Sequence, residues 1–389
     1  MNKSTARELT KAMVIHSLQM SFEPVLDPRG RKGTYDASSL IVMATVAFMS
    51  GCQNRVHVAD FCKDRLDICK ILGLSKAPCH DTFNDFFNVL DHEQFTKCYT
   101  SWIYSIVKEL TGLVVAIDGK SLLPTKWEKG KCQCHLVTAY IADMNISLSH
   151  VMTGEKSNEI TAVSQLLDIL SLEGAIITMD AMGCQRDTVK KIKDKGADYC
   201  IALKGNQGDT HKSAEFFFAD LDLNKPASLE ELLRISTFKT EEKGHGRIEA
   251  RVITSVPAHL ALVEETARWF GVKSVTMIES TRHIIAKQTE STERRYYISS
   301  LEPDSEKLAN VIRKHWRIEN NLHWQLDVTF GEDAKRIGSN NAAANMSLVR
   351  KTVMTILMAY DGDTMSLSRR MAHCSRCPEY AFEVIKSLV

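Results

Sequence analysis

Three things that would narrow the function at once are missing from this chain of 389 residues. It lacks a long apolar run: the longest, LIVMATVAFM at 40–49, is about half of the ~20 residues a membrane helix needs, so a core helix of a soluble protein is expected there. It lacks an excess of either charge, with 49 Lys and Arg against 48 Asp and Glu, so an anionic partner would have to be met by a local patch rather than a global field. It lacks a Gly-rich phosphate loop, and the lone GHG at 244–246 is no dinucleotide motif, which argues against ATP-driven chemistry. Cysteine is present, at eleven residues, but the odd count, the scattered positions and the lack of a secretory signal predict free thiols in a reducing cytoplasm. The two close sets, Cys374/Cys377 and Cys132/Cys134/His135, have poor spacing for zinc. A composition of 44% hydrophobic and 25% charged residues is that of a globular chain with two or three cores.

What is present changes character along the chain. Residues 1–105 read as helices with Gly and Pro at the joints, a helical N-terminal domain for DNA binding or association. Within it DICKILGLSKAPCHDTFNDFFNVL reads as helix, turn, helix; it would suit a DNA major groove, and equally an ordinary helical hairpin. From Leu113 the pattern alternates. LVVAIDGKSL, HLVTAYIADM and SLSHVMTGE read as meandering strands, followed by a helix at EITAVSQLLDIL, a strand AIITMD, a helix CQRDTVKKIKDKG and a strand DYCIALKGN. That order predicts an α/β fold, a ribonuclease-H-like mixed sheet flanked by helices. The expected boundaries are 106–206 for the first part of this core, 207–295 for a β-rich insertion, 296–360 for the rest of the core, and 361–389 for a C-terminal helical tail.

Three acids stand out. Asp118 ends the apolar run VVAID inside the first strand, where an unpaired carboxylate must be neutralised, hydrogen-bonded or bound to a cation. Asp180 ends the strand AIITMD at the edge where the chain leaves the sheet. Glu319 lies on KLANVIRKHWRIENNLHWQL. At 100° per residue Leu308, Val311, Ile312, Trp316, Ile318, Leu322 and Leu326 form one apolar face, and Glu319 falls about 20° from its centre. By itself a buried Glu satisfied by His315 or His323 would explain this last position. Three carboxylates in one pocket repel, however, unless hard cations lie between them, and two Mg²⁺ ions (or Mn²⁺) would relieve the repulsion and equip the site for phosphoryl transfer.

The sequence resembles the DDE transposases of bacterial insertion sequences, and most closely the H-repeat-associated transposase-like proteins. The resemblance is carried by AIDGK (116–120), ITMDAMGCQ (177–185), DYCIALKGNQ (198–207), KGHGRIEAR (243–251), YYISSL (296–301) and HWRIENNLHWQLDVTFGEDAKR (315–336). It implies a catalytic and metal-binding triad of Asp118, Asp180 and Glu319, with Mg²⁺-dependent cleavage and joining of double-stranded DNA at element ends. It also implies a homodimer on the DNA, and a cytoplasmic, nucleoid-associated protein. Where related transposases carry Tyr, Arg and Lys around the Glu, this chain has Ile312, His315 and Leu326. Two alternatives stay open: a relic that binds DNA without catalysis, and a nuclease without strand transfer.

Further residues are candidates for DNA contact. Lys120 lies two past Asp118 on the same side of the strand, where it would meet a phosphate or else be a plain strand-end lysine. His323 and Asp327 follow Glu319 down the helix. Lys204 and Asn206 sit with Gln207 around Gly205 at a strand end. His245, Arg247 and Arg251 surround a predicted hairpin tip, and Arg317 lies on the Glu319 helix. Lys335, Arg336, Arg350 and Lys351 would add positive charge along the C-terminal region, with solvated helix surface as the ordinary explanation, and Trp316 is expected in the core.

Overall fold

The computed structural model describes residues 3–29, 35–122, 134–153, 159–221, 235–244, 246–334 and 339–388. Six N-terminal helices come first: α1 (Lys3–Phe22), α2 (Ala37–Met49), α3 (Arg55–Asp64), α4 (Leu66–Ile71), α5 (His80–Val89) and α6 (His92–Ile106). LIVMATVAFM lies within α2, whose residues are all buried, so its apolar run serves the core.

The strands that follow are rich in β-branched and aliphatic residues. β1 (Val114–Leu122), β2 (Cys134–Ile141) and β3 (Ile146–Thr153) form an antiparallel meander, and the turn between the last two places Asn145 at φ 58°. Next come α7 (Glu159–Ile169), β4 (Ile176–Met179), α8 (Arg186–Asp194), β5 (Asp198–Leu203) and α9 (Gly208–Asp220), with β4 parallel to both β1 and β5. Four longer strands, β6 (Ser236–Gly244), β7 (Arg247–Pro257), β8 (Ser274–Ile284) and β9 (Thr289–Ser299), make a second antiparallel meander. It does not stand apart. The last residues of β9, Tyr296–Ser299, pair with β5, so the strands form one mixed sheet in the order β3-β2-β1-β4-β5-β9-β8-β7-β6.

Helices cover this sheet. α10 (Ser305–His315) packs on β1 and β4, and after it come a π-helix (Ile318–His323) and α11 (Trp324–Val328). α12 (Asn340–Ala359) packs on β2, β3, α2, α5 and α6, and α13 (Leu367–Arg376) and α14 (Pro378–Lys386) close the chain. One apolar core runs through the whole, from Phe22 and Phe48 through Val115 and Ile177 to Ile298, Val353 and Ile385. No described helix is long and apolar enough to cross a membrane.

Two expectations need correction. The Glu319 helix is not continuous: after α10 the chain turns at Trp316 and widens into the π-helix, so a constant 100° per residue does not hold. Leu308, Val311, Ile312, Ile318, Leu322 and Leu326 are buried as expected, but Glu319 is exposed and Trp316 is 41% exposed beneath the guanidinium of Arg295. Arg350 and Lys351 are not on a solvated surface; they are 1% and 2% exposed, because α12 is enclosed on nearly all sides.

Candidate active site

Strand register brings the two aspartates level. Ile117 of β1 pairs with Met179 of the parallel β4, so Asp118 and Asp180, each one residue further on, stand side by side at the carboxyl edge of adjacent strands. Both point to the face that α10 covers, since Thr178, two residues before Asp180, hydrogen-bonds His315 Nδ1 at 3.1 Å. The π-helix that carries Glu319 packs on β1. Its wider turn re-aims Glu319 away from the apolar stripe and leaves it in solvent at the mouth of the same face.

The electrostatics join all three. Burial pushes the Asp118 carboxyl up to about 7; the Gly119 N–H opposes this, while the negative charges of Asp180, Glu159 and Glu319 add to it. Asp180 is exposed and caps the 3₁₀ turn 181–183 by accepting from the Met182 N–H at 2.9 Å. His315 is held down to about 4 by burial, partly offset by Asp180. His323 is held down to about 3 by burial, then by Lys351, Lys120 and His135, so its ring is neutral. Its Nδ1 stands 3.7 Å from Asp118 Oδ2, and its Nε2 is buried without a hydrogen-bond partner among the described residues.

The loop around Asp180 is built by residues that sequence reasoning assigned to DNA. Asn206 donates its side-chain amide to Ala181 O at 2.6 Å, and Gln207 donates to Cys184 O at 2.8 Å, which pins the turn behind Asp180. Lys120 is also engaged. It donates to Asp327 at 2.6 and 2.8 Å and to Asp333 at 3.3 Å; although burial pulls its amine down, these acids hold it above the usual lysine range. Arg317 donates to Ala142 O at 3.0 Å. Lys204 and Arg247 are exposed, the latter at the tip of the β6–β7 hairpin beside Gly246, whose φ of +73° suits glycine. Arg251 instead pairs with Glu249 and Glu242. His245, Lys335, Arg336 and Cys132 lie outside the described residues.

On the opposite face of β1, Gly119 leaves room for a buried pair. His135 Nε2 lies 3.3 Å from Glu159 Oε2, and His135 Nδ1 lies 3.0 Å from Ser121 Oγ. A Cβ on Gly119 would come within 2.4 Å of His135 Nε2 and 2.9 Å of Glu159 Oε1.

Sequence reasoning missed a second polar cluster behind Asp118. Thr138 is the cross-strand partner of Asp118, and His150 that of Thr138. Lys351 donates to Thr138 Oγ1 at 2.9 Å and bonds His150 Nδ1 at 3.0 Å; burial pulls its amine down to about 7. His150 Nε2 meets His92 Nε2 at 2.9 Å, and His92 Nδ1 meets Asn345 Oδ1 at 2.8 Å. The Asn345 amide donates to Phe87 O and Leu90 O. Those two carbonyls orient Asn345, so Oδ1 accepts from His92; with burial keeping both imidazoles neutral, His92 Nε2 then accepts from His150, and His150 Nδ1 from Lys351. The only signal in the sequence was a helix with apolar residues all round, which leaves its charges no solvent to face.

Among the described residues no three His, Cys, Asp or Glu side chains converge to hold one metal ion. Mg²⁺ does not ask for that: it is held through one or two carboxylates plus water and substrate oxygens. The donors at this edge fit such an ion, since Asp118 stands level with Asp180 and its carboxyl is raised by burial and, less, by the charges of Asp180 and Glu319.

Comparison with known proteins places this arrangement in a class. Residues 109–356 match the family described as "Transposase DDE domain", and residues 20–103 match the one described as "DDE_Tnp_1-associated". The chain belongs to the DDE transposase family. It is 34% identical over 362 residues to the "H repeat-associated putative transposase YhhI" of Escherichia coli K12, covering 91% of this chain and 93% of that one. With the "Putative transposase YncI" of Escherichia coli O157:H7 it shares 35% identity over 353 residues, 89% of this chain and 88% of the other. Among solved structures, the piggyBac transposase synaptic complex with hairpin DNA is similar at a TM-score of 0.44 and 8% identity, over 97% of this chain and 78% of that one, which is too distant to carry an argument.

Proposed function

We propose that this chain is a DNA transposase with a ribonuclease-H-like core, in which Asp118, Asp180 and Glu319 form the catalytic triad that cuts and joins DNA at the ends of an insertion sequence. One observation carries the reading: two aspartates from sequence-distant strands stand level on adjacent parallel strands, and the turn bearing Glu319 packs on the first of them. The strand order β3-β2-β1-β4-β5, with β2 antiparallel and β4 and β5 parallel to β1, supports the core assignment.

In this reading Asp118, Asp180 and Glu319 would together hold divalent cations, Mg²⁺ or Mn²⁺. When bound, such cations activate the attacking oxygen and stabilise the leaving one. The chain's own residues set the stage. Asn206 and Gln207 fix the Asp180 turn, and the Thr178–His315 bond fixes the end of α10 just before the Glu319 turn. Lys120, on the Asp118 side of β1, exchanges Asp327 for a phosphate oxygen of the DNA. Lys204 and Arg247, exposed at their strand ends, with His245, Arg317, Lys335 and Arg336, supply backbone contacts. Concerted joining of two ends requires two copies of the chain on the DNA.

The test is cleavage and joining of a DNA fragment carrying the sequences that flank this gene, with Mg²⁺ or Mn²⁺. Wild type is expected to cut and to join a pre-cut end to a plasmid, and Asp180→Ala to do neither while still binding the fragment. Cutting without joining identifies a nuclease, and binding without metal-dependent cutting identifies a relic.

A further inference from the structure

Four other histidines around the sheet each make at least one hydrogen bond: His92 and His150 in the Lys351 cluster, His315 with Thr178, and His135 with Ser121, although His135 Nε2 makes none among the described residues. His323 has none among the described residues. Its side chain is 12% exposed, so it has given up most of its water. Its Nε2 is buried and unpaired, and its Nδ1 faces Asp118 Oδ2 at 3.7 Å, too far for a hydrogen bond. The nitrogen that faces the acid is thus Nδ1, and it has neither a hydrogen bond among the described residues nor much bulk water to meet it.

We propose that His323 is a protein ligand of the divalent cation held by Asp118, through Nδ1, and that this nitrogen gives the centre a preference for Mn²⁺ over Mg²⁺. The inference rests on the carboxylate reading above and extends it. With the ring proton on Nε2, the Nδ1 lone pair would face the Asp118 oxygen, and a cation between them would turn that repulsion into attraction. The gap of 3.7 Å is shorter than two metal–ligand bonds of about 2.1 Å laid end to end, so one ion can reach both atoms. His323 ends the π-helix that Glu319 nearly begins, and that turn packs on β1, so both side chains are carried to Asp118 by one element. Imidazole suits the transition metals, whereas Mg²⁺ takes oxygen donors.

The test is Mn²⁺ titration of the full chain followed by electron paramagnetic resonance, with spin-echo modulation to detect nitrogen bound to the ion. Wild type is expected to show the ¹⁴N coupling of a directly bound imidazole. His323→Gln should lose it and bind Mn²⁺ about tenfold more weakly, with Mg²⁺ affinity changed less than about threefold. His315→Gln should keep the coupling. Mn²⁺ bound without ¹⁴N coupling in wild type, or coupling that survives in His323→Gln, overturns the assignment and leaves the carboxylate centre standing. Mn²⁺ binding that is absent, or unaffected by Asp118→Asn, overturns the carboxylate reading and this inference with it. Circular dichroism on His323→Gln and a second variant, His323→Asn, separates lost ligation from lost fold.

Discussion

Two polar clusters share one face of the sheet, linked by the Asp118–Thr138–His150 row, and they are built by opposite rules. In the Lys351 cluster every group has a hydrogen-bond partner, and with neutral imidazoles the chain of donors runs from the amine to two backbone carbonyls. Around Asp118 the acids repel one another, Asp180 and Glu319 stand in solvent, and His323 makes no hydrogen bond among the described residues. A satisfied buried network holds a fold in one arrangement, whereas an unsatisfied one needs something from outside. On the function proposed above, the first cluster serves structure and the second chemistry.

The largest effects should separate the two. Glu319→Ala is expected to lower metal-dependent DNA cleavage about a thousandfold or more while leaving the melting temperature near that of wild type, since its side chain is exposed. Asn345→Ala should do the reverse. It leaves the His92 Nδ1–H and the Phe87 and Leu90 carbonyls without their partner, which costs about 3 kcal/mol of stability in denaturant titration, with activity per folded molecule retained. Cleavage that falls in proportion for both variants would erase the distinction.

A smaller effect probes the floor of the acid site. Gly119→Ala puts a methyl group 2.4 Å from His135 Nε2 and 2.9 Å from Glu159 Oε1, and both side chains are hemmed in. The expected cost is about 1–3 kcal/mol, from displacing a buried pair. A neutral result would mean that the His135–Glu159 pair moves freely and does not brace β1.

How much of this could be read beforehand follows from the same contrast. Asp118 and Asp180 were legible because each ends an apolar strand, and strand periodicity with a parallel crossover fixes where such residues emerge. The direction of Glu319 was not legible. A π-turn between Trp316 and Trp324 breaks the helical phase, and local composition does not announce it. Arg350 and Lys351 read as surface charge because their partners, Glu332 for one and Thr138 and His150 for the other, are brought in only by the tertiary fold. Lys120 read correctly as lying beside Asp118, but its pairing with Asp327 and Asp333 depends on where the chain returns after α11.

The two clusters should also answer pH with opposite signs. Burial holds His92 down to about 4 from 6.5 and His150 lower still, so the unfolded chain takes up protons that the fold refuses. That contribution is whole above pH 6.5 and is lost as pH falls toward 4. Asp118, raised to about 7 from 3.8, does the converse: the fold holds its proton more tightly than the unfolded chain, so stability is whole below 3.8 and declines as pH rises through 7. Asp118→Asn removes only the second effect. In metal-free buffer it should match wild type near pH 4 and exceed it by about 1–2 kcal/mol above pH 7, less than the full shift implies because the carboxylate retains 28% exposure. His92→Gln should instead shallow the acid side of the profile. Melting temperatures of the three proteins between pH 4 and 8 decide the point, and an Asp118→Asn curve parallel to wild type throughout would mean that burial and the neighbouring acids do not together raise the Asp118 carboxyl.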